Sequence, residues 1–223
     1  MRPVTETIPK PMIQVAGKPF LQHQLELLRA SGIDQTLLLV AYLGEKIEEY
    51  FGDGEKLKLN IDYSYEVTPL GTGGALKNAE QELQNSFVLL NGDTYLEIDY
   101  PELLLKFATL QCSALIVAYR KPLGGLSALP ADHVPNNLLV DKEGRVEAYR
   151  KRDPEGLTHI DAGAIVLDKK VLQTLSVGQR CSLEEEIYPK LIADGELFAW
   201  VTQEPFYDMG SPAGLAALEE KLR

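Results

Sequence analysis

Hydrophobic positions along the chain change repeatedly between a helical and a strand-like spacing. Leu21, Leu25 and Leu28 fall on one face of the segment FLQHQLELLRASG, which predicts a helix that Gly32 ends. The following apolar run, TLLLVAY (36–42), has no polar alternation and is typical of a strand that is buried on both faces. The same change of spacing recurs to the end of the chain, so strands and helices are predicted in turn.

The remaining elements follow from the same reading. Further strands are predicted in NIDYSYE (60–66), SFVLL, SALIVAY, HIDAGAIVLD and ELFAWVTQE. Further helices are predicted in EKIEEYF, LGTGGALKNAEQEL, PELLLKFATL, SLEEEIYPKLIADG and SPAGLAALEEKL, the last two with Ser182 and Ser211 as N-caps. NLLVDKEGRVEAYR predicts a hairpin that turns at 141–144, and the Pro- and Gly-containing stretch 121–137 predicts a long loop. This alternation predicts an α/β fold with a mostly parallel sheet, and no linker divides 1–223 into two domains.

Charge and cysteine usage narrow the functional classes. The chain has 22 Lys and Arg against 33 Asp and Glu, a formal charge of -11, which argues against nucleic acid or an anionic membrane as the main partner. The two cysteines, Cys112 and Cys181, have no Cys-x-x-Cys spacing, so neither a disulfide framework nor a zinc site is expected. Such sparse cysteine usage favours a reducing cytoplasm as the compartment. No apolar run is long enough for a signal peptide or a membrane span.

A glycine-rich turn is the first loop with candidate chemistry. Gly71, Thr72, Gly73 and Gly74 lie at the start of a predicted helix, where glycines let the backbone approach a ligand and the helix N-terminus favours negative charge. The pattern matches neither G-x-G-x-x-G nor a P-loop, and a plain tight turn explains the glycines about as well.

Two aspartates follow other predicted strands. Asp93 ends Asn-Gly-Asp directly after FVLL, and Asp208 lies between a strand and the last helix. Ligands of open α/β sheets bind at the carboxyl ends of strands, and carboxylate oxygens suit a hard cation such as Mg²⁺. Either aspartate alone also fits a helix cap, but two at one edge of the sheet could share one ion.

Together these segments resemble the sugar-1-phosphate nucleotidyltransferases, and the resemblance covers essentially the whole chain. Its most specific part is the opening, Arg2-Pro3-x-Thr5-x-Thr7-x-Pro9-Lys10-Pro11, followed by Gly17-Lys18-Pro19. The family has an α/β Rossmann-like three-layer sandwich with a mostly parallel central sheet, of the nucleotide-diphospho-sugar transferase type. Among its members, the bacterial branch with heptose-1-phosphate guanylyltransferases and muramate-1-phosphate uridylyltransferases looks most similar.

The resemblance implies a reaction and its residues. A nucleoside triphosphate and a sugar 1-phosphate would give a nucleoside-diphosphate sugar and pyrophosphate, with Mg²⁺ as cofactor; a homo-oligomer is left open. The catalytic residues implied are Lys10, which holds triphosphate oxygens, Asp93 and Asp208, which bind Mg²⁺, and Lys151, which grips the sugar phosphate. The nucleotide-binding residues implied are Lys10, Asp93 and the turn Gly71, Thr72, Gly73 and Gly74, which contacts the base.

Two departures from the family pattern concern the sugar. Arg150 stands before Lys151 where the family has a glutamate, and Asp161 opens Asp161-Ala162-Gly163 where the family has an asparagine. The resemblance assigns Arg150, Asp161 and Gly163 to sugar binding. We therefore expect the Arg150 and Asp161 side chains to face one cavity, where they pair with each other or read an acidic sugar substituent.

A third departure concerns the start of the chain. The family's first strand and its Gly-Gly-x-Gly-Thr-Arg loop precede the segment that aligns with Met1, so we expect a chain truncated relative to the family, with poor turnover. Strands around Leu38 and Leu89 would then pair directly, or another segment or chain would fill the gap. A non-catalytic sugar-nucleotide-binding or regulatory relative is the alternative. A metal-dependent glycosyltransferase is disfavoured because Asp93 is not part of an Asp-x-Asp motif.

Overall fold

The fold contains six α-helices and twelve strands in a computed structural model that describes residues 7–122, 131 and 134–223. The helices are α1 (Phe20–Ala30), α2 (Gly44–Phe51), α3 (Gly71–Asn78), α4 (Tyr100–Leu110), α5 (Tyr188–Ala193) and α6 (Pro212–Lys221). The strands are β1 (Gln14–Val15), β2 (Lys18–Pro19), β3 (Gln35–Val40), β4 (Asn60–Tyr65), β5 (Ser86–Leu90), β6 (Thr94–Leu96), β7 (Ala114–Tyr119), β8 (Leu138–Val140), β9 (Val146–Tyr149), β10 (Ile160–Asp168), β11 (Leu197–Thr202) and β12 (Phe206–Asp208).

Most predicted elements are present with their predicted caps. The Ser182 hydroxyl accepts a hydrogen bond from the Glu185 amide at 3.2 Å, and the Ser211 hydroxyl accepts one from the Gly214 amide at 3.0 Å. Two predicted features lie partly outside the described residues: the start of the opening motif and the middle of the predicted loop 121–137. Among the described residues, no helix has the length and apolarity needed to cross a membrane.

The helix predicted from Ser182 onward is not continuous. Leu183–Ile187 forms a wide π-helical turn, and α5 begins only at Tyr188, with Pro189 in its first turn. Proline has no amide hydrogen to donate to the carbonyl four residues earlier, so a regular α-helix cannot run through this position. The predicted helix after the glycine turn is also shorter, because α3 ends at Asn78.

The main sheet has the strand order β11-β7-β10-β5, in which β5, β7 and β11 run in the same direction and β10 runs opposite to them. Strands β7 and β11 are parallel, whereas β10 runs antiparallel to both β5 and β7. The chain enters β10 from the β8–β9 hairpin, whose Leu138 bridges to His159. Alternation of helices and strands therefore predicted the α/β class but not the direction of this one central strand.

Both faces of the main sheet are covered, which gives three layers. In β7, Leu115, Val117 and Tyr119 pack with α4 in one hydrophobic cluster, while Ala114, Ile116 and Ala118 pack with α3 and α5 in another. All six residues of β7 are buried, as a continuous apolar run predicts for a strand inside an α/β sandwich. Helices α1 and α2 cover the separate parallel pair β3–β4.

Strands β3 and β5 do not pair with each other in the described part of the chain. There β3 pairs with β4, and β5 pairs with β10. Their side chains nevertheless reach the same hydrophobic cluster, since Leu39 of β3 and Phe87 and Leu89 of β5 pack against it. Direct pairing around Leu38 and Leu89, one of two expected outcomes, is therefore not formed.

Candidate functional site

Lys10 and Asp93 meet at the carboxyl end of β5. The Lys10 ammonium lies 2.6 Å from Asp93 Oδ2, and both side chains are about one-third exposed, at 34% and 39%. Lys10 lies in a short helical turn after Pro9, and Asp93 follows the Asn91-Gly92 turn. Two residues that are 83 positions apart in sequence thus place a cation and a carboxylate at one point on the surface.

Asp208 lies beside Asp93 through backbone pairing. It ends β12, which runs antiparallel to β6 with Asp208 opposite Thr94, and the Met209 amide donates to the Asp93 carbonyl at 2.9 Å. The Asp208 Oδ1 atom accepts the Gly210 amide at 2.5 Å, which orients its carboxylate. In the described part of the chain, no group of three or more His, Cys, Asp and Glu side chains forms a metal site, so a cation here needs other oxygen ligands as well.

A buried glutamine of α1 holds the turn that carries Asp93. Gln24 is only 6% exposed, and its side-chain amide nitrogen donates to the Asn91 carbonyl at 2.9 Å and to the Thr94 carbonyl at 2.6 Å. Sequence reasoning did not single out Gln24. The available signal was a polar residue beside Leu21, Leu25 and Leu28 on the apolar face of the helix.

The glycine turn at the start of α3 packs against a second backbone segment. The Gly73 and Gly74 amides both donate to the Cys181 carbonyl, at 2.9 and 3.2 Å, and the Cys181 amide donates to Leu70 at 2.8 Å. These two amides are therefore paired within the chain, as a tight turn predicts, and ligand contact at Gly73 and Gly74 stays a prediction. Gly71 and Thr72 are exposed, whereas Gly73 and Gly74 are buried.

Replacing Gly71 with alanine should destabilise the fold. Gly71 has a φ of +73°, and a Cβ there would lie 2.6 Å from the Cys181 carbonyl oxygen. Gly156, with a φ of +75° and no atom within 4 Å, is the matched control because it carries the same backbone strain without the clash. We expect Gly156→Ala to cost about 1 kcal/mol and Gly71→Ala about 1–3 kcal/mol more. Urea unfolding followed by circular dichroism measures both, and equal losses would contradict the packing argument.

Lys151 lies on the other side of the site, next to two glutamates. Its ammonium is 3.8 Å from Glu184 Oε2 and 3.9 Å from Glu185 Oε1. Glu184 is the more enclosed of the two, with 19% of its side chain exposed against 69% for Glu185. Its carboxylate also accepts hydrogen bonds from the Thr72 hydroxyl at 2.9 Å and the Ser182 hydroxyl at 2.8 Å. Sequence reasoning treated this segment only as a capped helix start and missed Glu184.

Asp161 and Arg150 have different partners, so their expected direct pairing is wrong. Asp161 accepts the Gly163 amide at 2.9 Å and the Tyr149 hydroxyl at 3.3 Å. Arg150 instead lies 3.6 Å from Asp153 and donates to the Glu155 carbonyl at 3.1 Å, in the exposed loop that follows β9. The loop supplies partners closer in sequence than β10 does, and they draw the guanidinium away from Asp161.

Gly163 joins the two halves of the site. Its carbonyl accepts the Asn91 amide at 2.9 Å, and its own amide binds Asp161. With a φ of +78°, it leaves no room for a Cβ, which would lie 3.0 Å from the Thr94 hydroxyl and 3.1 Å from the Asn91 side chain. The turn that carries Asp93 therefore packs directly on the strand that carries Asp161.

The environment of Asp161 changes its acidity. Burial raises the pKa of Asp161 to about 6, and the nearby Glu184 carboxylate adds to this, while the Gly163 amide, the Tyr149 hydroxyl and Lys151 oppose it. For Glu184, burial is outweighed by hydrogen bonds from its own backbone amide, Ser182 and Thr72, and its pKa is lowered. Glu184 is therefore ionised at neutral pH, and Asp161 titrates just below neutrality.

Stability should depend on pH through Asp161. Its pKa is about 6 in the folded chain and 3.8 ordinarily, so the folded state binds more protons between these values, and stability falls as the pH rises through them. Asp161→Asn removes the carboxyl group whose ionisation lowers the stability of the fold as the pH rises. Its free energy of unfolding relative to the parent should therefore increase by roughly 1–3 kcal/mol between about pH 4 and pH 7.

Urea unfolding at several pH values tests this expectation. The exposed Asp62→Asn variant is the control, because it also replaces one strand carboxylate in the described chain. A difference between Asp161→Asn and the parent that stays constant with pH would contradict the assignment.

Three comparisons place these features among known proteins. Residues 1–123 match the family model described as Nucleotidyl transferase. The chain is 34% identical to the mannose-1-phosphate guanylyltransferase of Mycobacterium tuberculosis over 95% of its own length and 58% of that protein. It is also 34% identical to the D-glycero-alpha-D-manno-heptose 1-phosphate guanylyltransferase of Campylobacter jejuni, over 95% of this chain and 90% of that one.

A solved structure shares the fold along the whole chain. The crystal structure of HddC from Yersinia pseudotuberculosis complexed with GMP-PN superposes with a TM-score of 0.83 at 28% identity, covering 100% of this chain and 94% of that one. The predicted α/β Rossmann-like class is thereby confirmed. The chain spans little more than half of the Mycobacterium protein but nearly all of HddC.

Proposed function

Because the chain belongs to the nucleotidyl transferase family, we propose that it transfers a nucleoside monophosphate from a nucleoside triphosphate to a sugar 1-phosphate. A phosphate oxygen of the sugar attacks the α-phosphorus, the bond from that phosphorus to the bridging oxygen breaks, and pyrophosphate leaves. Such transfers depend mainly on positioning and on stabilisation of charge. The chain therefore needs fixed cationic and metal-binding groups at one place.

The observation that carries this proposal is the meeting of Lys10, Asp93 and Asp208. The Lys10–Asp93 ion pair and the Met209–Asp93 backbone bond bring three separate segments of the chain to one edge of the fold. In the proposed reaction the Lys10 ammonium turns from Asp93 to the phosphates of the leaving pyrophosphate.

Asp93 and Asp208 would hold Mg²⁺. Their carboxylates are oxygen donors of the kind that this ion prefers, with phosphate oxygens and water as its remaining ligands. The Lys10 ammonium already lies against Asp93 Oδ2, so this position accommodates a positive charge. This supports the fit of a metal cation beside Asp93. When bound, the ion neutralises charge that develops on the phosphates.

The remaining site residues divide between sugar and base. Lys151, half exposed at 49%, binds the phosphate of the sugar, and Asp161 and Gly163 lie on the same side of the site. Arg150 contributes to the rim of that side through its loop. The exposed residues Gly71 and Thr72 face the base, while the buried Gly73 and Gly74 act through packing on Cys181.

We also propose that the nucleotide is GTP, that residues 1–223 form a single nucleotidyltransferase-like domain, and that the protein works in the cytoplasm. The choice of GTP is supported by two relatives named as guanylyltransferases and by the HddC complex with GMP-PN. The free thiols of Cys112 and Cys181, both buried, support a reducing compartment.

Pyrophosphate release tests the proposal. Purified chain is incubated with each of GTP, UTP, dTTP and ATP against a panel of sugar 1-phosphates, with Mg²⁺ and, as a control, with excess EDTA. We expect release that requires the metal and both substrates and is fastest with GTP. Nucleotide binding without pyrophosphate release under every combination would instead support the non-catalytic relative.

A further inference from the structure

The turn at the start of α3 and the segment after Cys181 are joined through a side-chain hydroxyl as well as through backbone bonds. The Thr72 hydroxyl accepts the Leu183 amide at 2.9 Å and donates to Glu184 Oε2 at 2.9 Å. A hydroxyl has one proton to donate, so this group is engaged within the chain although Thr72 as a residue is exposed.

Three groups converge on a single oxygen atom of Glu184. The Thr72 hydroxyl and the Ser182 hydroxyl donate to Oε2 at 2.9 and 2.8 Å, and the Lys151 ammonium lies 3.8 Å from the same atom. Hydrogen bonds to a charged acceptor are stronger than those between neutral groups. The two hydroxyls therefore fix the carboxylate that Lys151 faces.

The contact between Glu184 and Lys151 can orient the lysine without occupying it. At 3.8 Å the two charges attract each other, but the separation exceeds the roughly 2.7–3.2 Å of an N–H···O hydrogen bond. Lys10, by contrast, lies 2.6 Å from its carboxylate partner. The Lys151 ammonium can thus donate to a phosphate while Glu184 still faces it. Glu185 is 3.9 Å from the same ammonium, but it is 69% exposed, and solvent weakens such a contact.

We propose that Thr72 and Glu184 are positioning residues for Lys151: the Thr72 hydroxyl holds the Glu184 carboxylate, and the carboxylate holds the ammonium where the sugar phosphate binds. The inference rests on the proposed function, in which Lys151 binds that phosphate. It assigns the Thr72 hydroxyl to the sugar side of the reaction, whereas the family resemblance places Thr72 with the nucleotide. A lysine without this support must be ordered by the substrate, which costs affinity.

Thr72→Val removes the hydroxyl with almost no change in the size of the side chain. We expect the KM for the sugar 1-phosphate to rise about two- to tenfold, the cost of ordering one free side chain, while the KM for the nucleoside triphosphate stays within about twofold of the parent. Thr72→Ser keeps the hydroxyl and should restore the parental KM. Thr109→Val is the matched control, because that hydroxyl donates to the Leu105 carbonyl inside α4. The inference is wrong if the KM for the triphosphate rises as much as that for the sugar 1-phosphate, or more, or if neither rises.

Shortening Glu184 separates its position from its charge. Glu184→Asp keeps the negative charge but withdraws the carboxylate by one methylene group, so the KM for the sugar 1-phosphate should again rise about two- to tenfold. Glu185→Asp makes the same change in the exposed glutamate beside Lys151, and its KM should stay parental. A parental KM in Glu184→Asp would contradict the positioning role.

A purely structural role would give a different result. Thr72→Val leaves the Leu183 amide without its partner, so it should also lower the urea concentration at the unfolding midpoint. Loss of folded protein lowers the apparent kcat but leaves KM unchanged, because KM does not depend on the concentration of active enzyme. The separate change in the KM for the sugar 1-phosphate is therefore the result that a structural role alone would not produce.

Equilibrium binding separates this inference from the proposed function. GDP-mannose combines the nucleotide and the sugar phosphate named for the mycobacterial relative, whereas GMP lacks the second phosphate. Calorimetric titration should show that Thr72→Val weakens binding of GDP-mannose and leaves binding of GMP unchanged. That result in a chain that releases no pyrophosphate would support the positioning role and count against the catalytic proposal alone. Equal binding of GDP-mannose by the variant and an active parent would leave the proposed function standing and reject the positioning role, and a parent that binds neither ligand would count against both.

Discussion

Replacing Asp93 with asparagine is expected to lower kcat by about 10²–10³-fold or more, the loss seen when one group that stabilises transition-state charge is removed. Asparagine keeps the size of the side chain but removes the charge that faces Lys10 and the proposed Mg²⁺. The fold should persist, because an ion pair exposed to this degree contributes only about 0–1 kcal/mol. Asp208→Asn should behave in the same way, and both variants should need more Mg²⁺ for half-maximal activity.

Asp99→Asn is the control for this pair. Asp99 also follows a strand, but its carboxylate caps α4 by accepting the Glu102 amide at 2.8 Å, and asparagine caps helices equally well. Pyrophosphate release at saturating substrates gives kcat, and a Mg²⁺ titration gives the metal requirement. Parental kcat and Mg²⁺ dependence in Asp93→Asn would remove the metal site from the mechanism.

Replacing Gly214 with alanine is expected to destabilise the chain by about 3 kcal/mol or more, at the upper end of overpacking effects. A Cβ on Gly214 would lie 2.0 Å from the Asp208 carbonyl oxygen and 3.1 Å from its carbonyl carbon. The first turn of α6 therefore rests directly on the last residue of β12. Relief of the clash must move the helix or displace Asp208, so activity should fall with stability.

Gly92→Ala is the control for the added methyl group near the site. The nearest atom to a Cβ at Gly92 is 3.9 Å away, and this change should cost less than about 1 kcal/mol. Urea unfolding compares the two variants with the parent. Helix propensity alone would make Gly214→Ala more stable by up to about 1 kcal/mol. A stabilised Gly214→Ala variant would therefore show that α6 does not rest on Asp208 as described.

The elements of the fold were largely predictable from the local pattern of residues. The apolar run that became β7 is buried on both faces because every position in it is apolar. Ser182 and Ser211 cap the helical segments after them, since a short hydroxyl side chain satisfies amides that the first turn leaves free. The sequence also indicated that Asp93 and Asp208 end strands, and ligands of such sheets bind where strands end.

Contacts between distant segments were decided only by the tertiary structure. Hydrophobic periodicity reports which face of an element is buried, but not which remote segment it meets or, for β10, in which direction it runs. The glycines of the α3 turn fit a ligand-binding loop as well as a packed one until Cys181 is seen against them. Gln24 and Glu184 are ordinary polar residues in sequence, and they matter because folding places Asn91 beside one and Thr72 and Lys151 beside the other.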